Sequence, residues 1–274
     1  MSNNLRVESY SNVTCAGTTV ELFNSRLDVF VYVVDGLLID TGPSKFSKEF
    51  GGFFSGKHIE QVVLTHHHED HSGNAALLQK KGMPVYVHDS ALPFCRKPAS
   101  LPMYRLFFWG RRKKFSPTPL SNTVQTKNKT IQVIETPGHS FDHIALYDAG
   151  EGAIYTGDLF VTPKTKLCLR WENACEVMDS LEKLLELDFQ TVFCSHAGII
   201  KNGRELLKMK LDYLENLQGE VLQLHNSGWD IGSIAKKYFP KTAILKYLSF
   251  NEWSSEHLVK SLIENTAEKQ YSTL

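Results

Sequence analysis

The six residues from His66 to His71 read HHHEDH, four imidazoles and two carboxylates in a row. Imidazole and carboxylate are the usual ligands of zinc and similar divalent cations, and both move protons. In an extended segment alternate side chains share a side, so His66 and His68 project together. Asp70 and His71 follow as the chain turns into a helix and can face a second point. His67 then points away from its neighbours, and Glu69 is assigned to neither point. Three further candidates lie far downstream: His139 in TPGHS, Asp158 in TGDLF and His196 in SHAG. Each follows an apolar run. In layered α/β folds ligands bind beyond strand ends, where residues distant in sequence converge.

Five imidazoles and two carboxylates form a set that suits zinc, with iron or manganese as alternatives. Each metal takes three or four protein ligands, so His66, His68, Asp70, His71, His139, Asp158 and His196 suffice for two ions if one carboxylate is shared. The expected chemistry is hydrolysis: a metal-bound hydroxide forms near pH ~7 and attacks a carbonyl or phosphoryl centre that the metal polarises. Asp70 is the expected catalytic carboxylate, holding the nucleophile and relaying its proton. Of the other histidines, His88 and His143 are candidates for orienting a ligand. His58, His225 and His257 read as surface residues.

Strand-like and helix-like runs must position this set. TTVELF (Thr18 to Phe23) and VFVYVVDGLLIDTG (Val29 to Gly42) are β-branched and aromatic, and Asp35-Gly36 signals a hairpin turn. IEQVVLT (Ile59 to Thr65) feeds the histidine run. A helix over Ser72 to Gly82 and a strand over Met83 to Asp89 complete a βαβ unit. Residues 91–128 carry prolines, aromatics and the basic run Arg111 to Lys114, and read as an inserted lid. Tyr104, Phe107, Phe108 and Trp109 form an aromatic cluster within it. Strands resume over 130–140, 144–150 and 152–160. A helix follows near 173–187, with Leu181, Leu184 and Leu185 on one face, then a strand over 190–198. From about 204 the pattern is helical, with further helices near 231–239 and 254–265.

The resulting expectation is a catalytic domain over 1–203 and a helical region over 204–274. Hydrophobic residues make up 42% of the 274, enough for a large core. Lys plus Arg equals Asp plus Glu at 30 each, so the overall charge argues against nucleic acid without excluding it. The first residues lack a basic-then-apolar leader and no apolar run reaches membrane-spanning length, so a cytoplasmic protein with no membrane partner is expected. Five scattered cysteines, none in a CxxC pair, fit a reducing compartment and buried thiols.

Five segments, LIDTG (38–42), THHHEDHSG (65–73), TPGHS (136–140), TGD (156–158) and SHAG (195–198), resemble the motifs of the metallo-β-lactamase-fold hydrolases. The resemblance covers about residues 15–200. It implies a four-layer αββα sandwich with the metals at one edge between two sheets. It also implies His66, His68 and His139 on one metal, Asp70, His71 and His196 on the other, and Asp158 bridging. Asp40 resembles the family's buried aspartate that supports the ligand loops. Where the best-known dizinc β-lactamases carry a cysteine ligand, this chain has Asp158. That brings it closer to glyoxalase II, the lactonases and the RNA-processing members, and argues against a drug-degrading lactamase.

The leading expectation is therefore hydrolysis of a small-molecule ester, thioester or lactone, with the aromatic lid taking an apolar acyl group. A nuclease is the alternative, with Arg111 to Lys114 on phosphates and the C-terminal helices as an RNA-contacting appendage. An iron-dependent sulfur dioxygenase is the third; the diiron electron-transfer version lacks an appended flavin domain. The C-terminal helices could instead cap the sandwich, shape the pocket or form a homodimer contact.

Overall fold

The computed structural model describes residues 5–22 and 25–271, and it divides into two compact units. The first unit contains residues 1–135, 142–161 and 188–203; the second contains 136–141, 162–187 and 204–274.

The first unit opens with an antiparallel meander: β1 (Arg6–Tyr10), β2 (Val13–Leu22), β3 (Ser25–Val34) and β4 (Leu37–Ile39). Thr18 to Leu22 of the expected strand lies in β2; Phe23 lies outside the described residues. Asp35 and Gly36 both have positive φ, 45° and 80°, the backbone of a tight two-residue turn whose twist matches its strands. After helix α1 (Ser47–Ser55) the chain adds β5 (Gln61–Val63) parallel to β4. Helices α2 (Glu69–Ser72) and α3 (Ala75–Lys80) follow, then β6 (Val85–Val87). The single helix expected over Ser72 to Gly82 is thus two pieces, broken at Gly73-Asn74. Packing causes the break. A Cβ on Gly73 would lie 2.4 Å from the Ser44 nitrogen, and the Asn74 amide donates to the carbonyls of Thr41, Gly42 and Pro43.

Residues 91–128 form α4 (Leu92–Cys95), α5 (Met103–Trp109), β7 (Thr118–Pro119) and β8 (Thr123–Gln125). β7 closes the seven-strand sheet, order β1 to β7, and β8 starts the second sheet. The second sheet continues through β9 (Thr130–Glu135), β10 (Ile144–Asp148) and β11 (Ala153–Gly157). The chain passes through β12 (Cys168–Leu169) and α6 (Ala174–Leu185) in the second unit and returns as β13 (Thr191–Cys194) and β14 (Gly198–Ile200). The six strands lie in the order β14-β13-β11-β10-β9-β8, with β11 and β13 parallel.

Alternation along β3 shows how the sheets pack. Val31 and Val33 face a core shared with Phe50 and Phe54 of α1, Leu78 of α3 and Trp109 of α5. Tyr32 and Val34 face the opposite core, which they share with Ile131, Leu146, Tyr155 and Phe193 of the second sheet. Residues two apart share a face of a strand, so β3 is apolar on both sides and buried between layers. The first unit therefore stacks helices, sheet and sheet. Trp109, expected in a lid, belongs to the core instead, while Phe107 on the same helix is exposed.

In the second unit β12 pairs with β15 (Trp253–Ser254), and α6 is capped by Asn173, which accepts from the Cys175 and Glu176 amides. Val177, Leu181 and Leu184 of α6 are buried. Helix α7 (Gly203–Asn226) buries Leu207, Leu211, Leu214, Leu217 and Val221 at helical spacing and leaves Met209 exposed. Helices α8 (Ile231–Tyr238), α9 (Ala243–Leu248) and α10 (Ser255–Tyr271) complete the chain. No helix among the described residues is long and apolar enough to cross a membrane.

Candidate metal centre

Four of the sequence candidates converge within the first unit: Asp70, His71, Asp158 and His196 are all buried, and one ligand atom from each lies within 4.8 Å of the others. They arrive on separate elements. Asp70 and His71 sit on α2, Asp158 follows the end of β11, and His196 occupies the tight β13–β14 connection. That connection is tied by Cys194, whose Sγ accepts from the His196 and Ala197 amides. Asp158 lies between the two rings, Oδ1 at 3.2 Å from His71 Nε2 and Oδ2 at 3.1 Å from His196 Nε2. Asp70 Oδ2 lies 3.7 Å from the first nitrogen and 3.4 Å from the second.

The far nitrogens fix the rings. His196 Nδ1 is 2.6 Å from the Asp28 carbonyl oxygen, which only accepts, so Nδ1 carries a proton. His71 Nδ1 lies 2.7 Å from Asp40 Oδ2 and donates to it. Both Nε2 atoms are thereby aimed at the carboxylates. Buried His71 Nε2 meets no acceptor in hydrogen-bonding geometry among the described residues. A lone pair there would face two carboxylates, so a positive charge must lie between them, either a proton or a metal ion. The donor set and its directed lone pairs fit a divalent metal. The same balance appears in the acidities. Burial opposes protonation of His71 and His196, but Asp158 and its neighbours outweigh it and hold both imidazoles well above their ordinary pKa. Burial likewise opposes ionisation of Asp158, yet His196 and His71 hold its carboxyl well below the usual range.

Asp40 is the hub of this arrangement. It is buried at φ 60° and accepts from the Thr65 amide, the Thr65 hydroxyl, His71 and the Ser195 hydroxyl. One aspartate thus joins β4, the start of the histidine run and the His196 turn. Gly157 is the second fixed point: at φ 48°, a Cβ there would lie 2.7 Å from His143 Nε2 and 2.9 Å from Thr65. His143 Nε2 accepts from the Asp158 amide at 3.1 Å and so holds the segment that carries Asp158. His88 lies beside Ser90, Asp89 and Glu135 instead.

His66 Nε2 and His68 Nδ1 come within 2.9 Å of each other, and the His66 ring lies 4.1 Å from that of His71. The expected same-side projection is therefore found. His139 belongs to the second unit, where its Nδ1 lies 2.8 Å from Glu172 Oε1. Its TPGH turn is held there: the Gly138 carbonyl accepts from Asn173, the Pro137 carbonyl accepts from Ser180, and a Gly138 Cβ would meet the Val177 nitrogen at 2.5 Å.

Two contacts had no reading in the sequence. The amide and Nδ1 of His67 both bond Asp142, which is buried. Glu69 forms a two-point ion pair with Arg105 of α5. A lone arginine inside the apolar run MYRLFFW was the available signal for the second. The basic run is also not a uniform surface: Arg112 is buried and donates to the carbonyls of Phe94, Cys95 and Lys97.

The chain is similar to several known proteins. The metallo-beta-lactamase superfamily model matches residues 25–196. A hydroxyacylglutathione hydrolase from Hydrogenovibrio crunogenus is 34% identical over 142 residues, covering 50% of this chain and 45% of its own. An atrochrysone carboxyl ACP thioesterase from Aspergillus fumigatus is 26% identical over 196 residues, covering 68% and 55%. The chain spans about half to two thirds of the length of the curated relatives it matches. A metallo-beta-lactamase family protein from Thermus thermophilus superposes with TM-score 0.68 at 18% identity, covering 93% of this chain and 94% of that one. The mixed α/β architecture with two large sheets is that of these structures. The chain belongs to the metallo-beta-lactamase superfamily.

Proposed function

We propose that the protein is a metal-dependent hydrolase of a small-molecule acyl substrate, an ester, thioester or lactone. The buried Asp70, His71, Asp158 and His196 cluster carries the reading. In this reading Asp70, His71, Asp158 and His196 would hold one zinc ion, and His66 and His68 would help to hold a second. Bound there, the metals supply a water of lowered pKa and polarise the scissile carbonyl. The residues of the chain do the rest. Asp70 takes the proton of the attacking water and passes it toward the leaving group. Asp40 and the Asp28 carbonyl keep the two imidazoles in the ligand tautomer.

An exposed phenylalanine beside the histidine run supports an acyl group. Phe94, 47% exposed, sets its ring 5.0 Å from that of His67, which in turn lies 5.0 Å from the His68 ring. The names of the hydroxyacylglutathione hydrolase and the thioesterase point the same way. Burial of Arg112 removes one cation from the basic run that a nuclease would use.

The test is metal quantification of the purified protein beside a panel of thioesters, esters, lactones and phosphodiesters. About two zinc ions per chain and turnover confined to the acyl substrates are expected, with H68A and D158A inactive. Full turnover by either variant, or turnover of phosphodiesters alone, would overturn the proposal.

A further inference from the structure

The H-x-H-x-D-H spacing leaves two positions, His67 and Glu69, without a ligand role, and the structure buries or bonds both. Glu69 is 3% exposed and Arg105 is 7% exposed. Arg105 Nε lies 2.5 Å from Glu69 Oε1 and Arg105 Nη2 lies 2.9 Å from Oε2. A side-on guanidinium fork on a carboxylate fixes distance and orientation together, which a single bond does not. Glu69 is covalently flanked by His68 and Asp70. Holding its carboxylate therefore holds the peptide units that aim both neighbours.

The other end of the clamp is itself anchored. Trp109 of the same helix is in the core, and its carbonyl accepts from the Ser44 hydroxyl. Lys45 Nζ donates to the Phe107 carbonyl at 3.0 Å. Gly110 ends the helix at φ 79°, where a Cβ would lie 2.7 Å from the Lys45 nitrogen. Helix α5 is thus seated on the loop after β4, the strand whose end carries Asp40.

We propose that Arg105 is a positioning residue of the metal centre, acting through Glu69 to hold His68 and Asp70 in ligand geometry. The inference rests on the metal-dependent reading above. It predicts a role in metal affinity, whereas a purely architectural ion pair would affect stability alone. Removing one partner leaves a buried charge unpaired, which is enough by itself to endanger folding. The informative variants are therefore E69M/R105M, which removes both charges, and R105K, which keeps the charge and loses the fork.

Zinc affinity of the full chain is measured by competition with a chromogenic chelator, the visible spectrum is recorded with cobalt in place of zinc, and circular dichroism checks the fold. Folded E69M/R105M is expected to bind zinc at least about tenfold more weakly, with an altered cobalt spectrum, and R105K to fall between it and wild type. R105K alone decides the matter if the double variant does not fold. A folded variant with wild-type zinc affinity and cobalt spectrum overturns the positioning role and leaves the proposed function standing. A wild-type protein that binds no zinc overturns both.

Discussion

Asp40→Asn is the sharpest probe of the centre, because it replaces one carboxylate oxygen by an amino group, removes one charge and changes almost no volume. Asp40 sits at φ 60°, a region that asparagine tolerates about as readily as aspartate, so the substitution adds little backbone strain. Its two oxygens face only donors: the Thr65 amide at 2.8 Å, the His71 Nδ1 at 2.7 Å, and the Thr65 and Ser195 hydroxyls at 2.9 Å and 3.1 Å. An amide offers one acceptor oxygen and one donor nitrogen. If the oxygen stays on Thr65, the amino group meets His71 Nδ1. The ring must then move its proton to Nε2, which removes the ligand lone pair beside Asp158. If the amide flips, its amino group opposes the Thr65 amide and the loop bearing His66 shifts. Losing a charged hydrogen bond costs about 1.5–3 kcal/mol. At 1.4 kcal/mol per decade this is about 10- to 100-fold in zinc affinity, the usual range for a residue behind a metal ligand. Chelator competition and metal content measure it, with circular dichroism to confirm the fold. A folded D40N protein with wild-type zinc affinity would refute the tautomer argument.

Three further outcomes follow from the same geometry. Metal affinity should fall as pH falls, because His71 and His196, held above their ordinary pKa in the metal-free protein, bind protons that the metal must displace. The slope should approach tenfold per pH unit for each proton released, and calorimetry in buffers of different ionisation enthalpy counts them; a flat profile from pH 6 to 8 contradicts it. Gly157→Ala should lower both Tm and zinc content, since the left-handed backbone alone costs about 1–2 kcal/mol and the new methyl group meets His143 and Thr65. Unchanged melting with full metal loading would show that the turn gives way. Arg112→Met should destabilise by about 1–3 kcal/mol in urea denaturation, because three carbonyls lose their buried donor, while K113E/K114E on the exposed part of the same run stays within about 0.5 kcal/mol. Equal effects would contradict the assignment.

The strands and the histidine- and aspartate-bearing turns were legible because each is a local signal. Residues alternating along VFVYVV face two different cores, and Asp35-Gly36 turns with both φ positive, as its composition suggests. The glycines in TGD and SHAG, Gly157 and Gly198, likewise take positive φ beside Asp158 and near His196. The break in the helix expected over Ser72 to Gly82 was not legible, because Gly73 and Asn74 are used against Thr41, Gly42 and Pro43, some 30 residues away in sequence. Residues 91–128 had no clear period for a related reason. They supply an edge strand to each sheet, and their aromatics divide between core and solvent, Trp109 inside and Phe107 outside.

What stayed hidden in the histidine run was the bracing of its remaining positions. A metal centre needs its ligands held within a fraction of an ångström, and a short loop between a strand and a four-residue helix cannot supply that stiffness from its own backbone bonds. The structure supplies it from three sides. Asp40 holds Thr65 and His71, Asp142 holds the His67 amide and ring, and Arg105 holds Glu69. Each brace comes from a different segment, β4, the β9–β10 connection and α5, so none leaves a periodic or compositional mark next to the motif. Thr65, His67, Glu69 and His71 are gripped by a brace directly, and His66 is reached through the Thr65 hydroxyl at 3.1 Å. His68 and Asp70 are the covalent neighbours of Glu69, so the Arg105 brace bears on them through the backbone. This is the physical reason to expect that loosening Arg105 will be felt first at the metal.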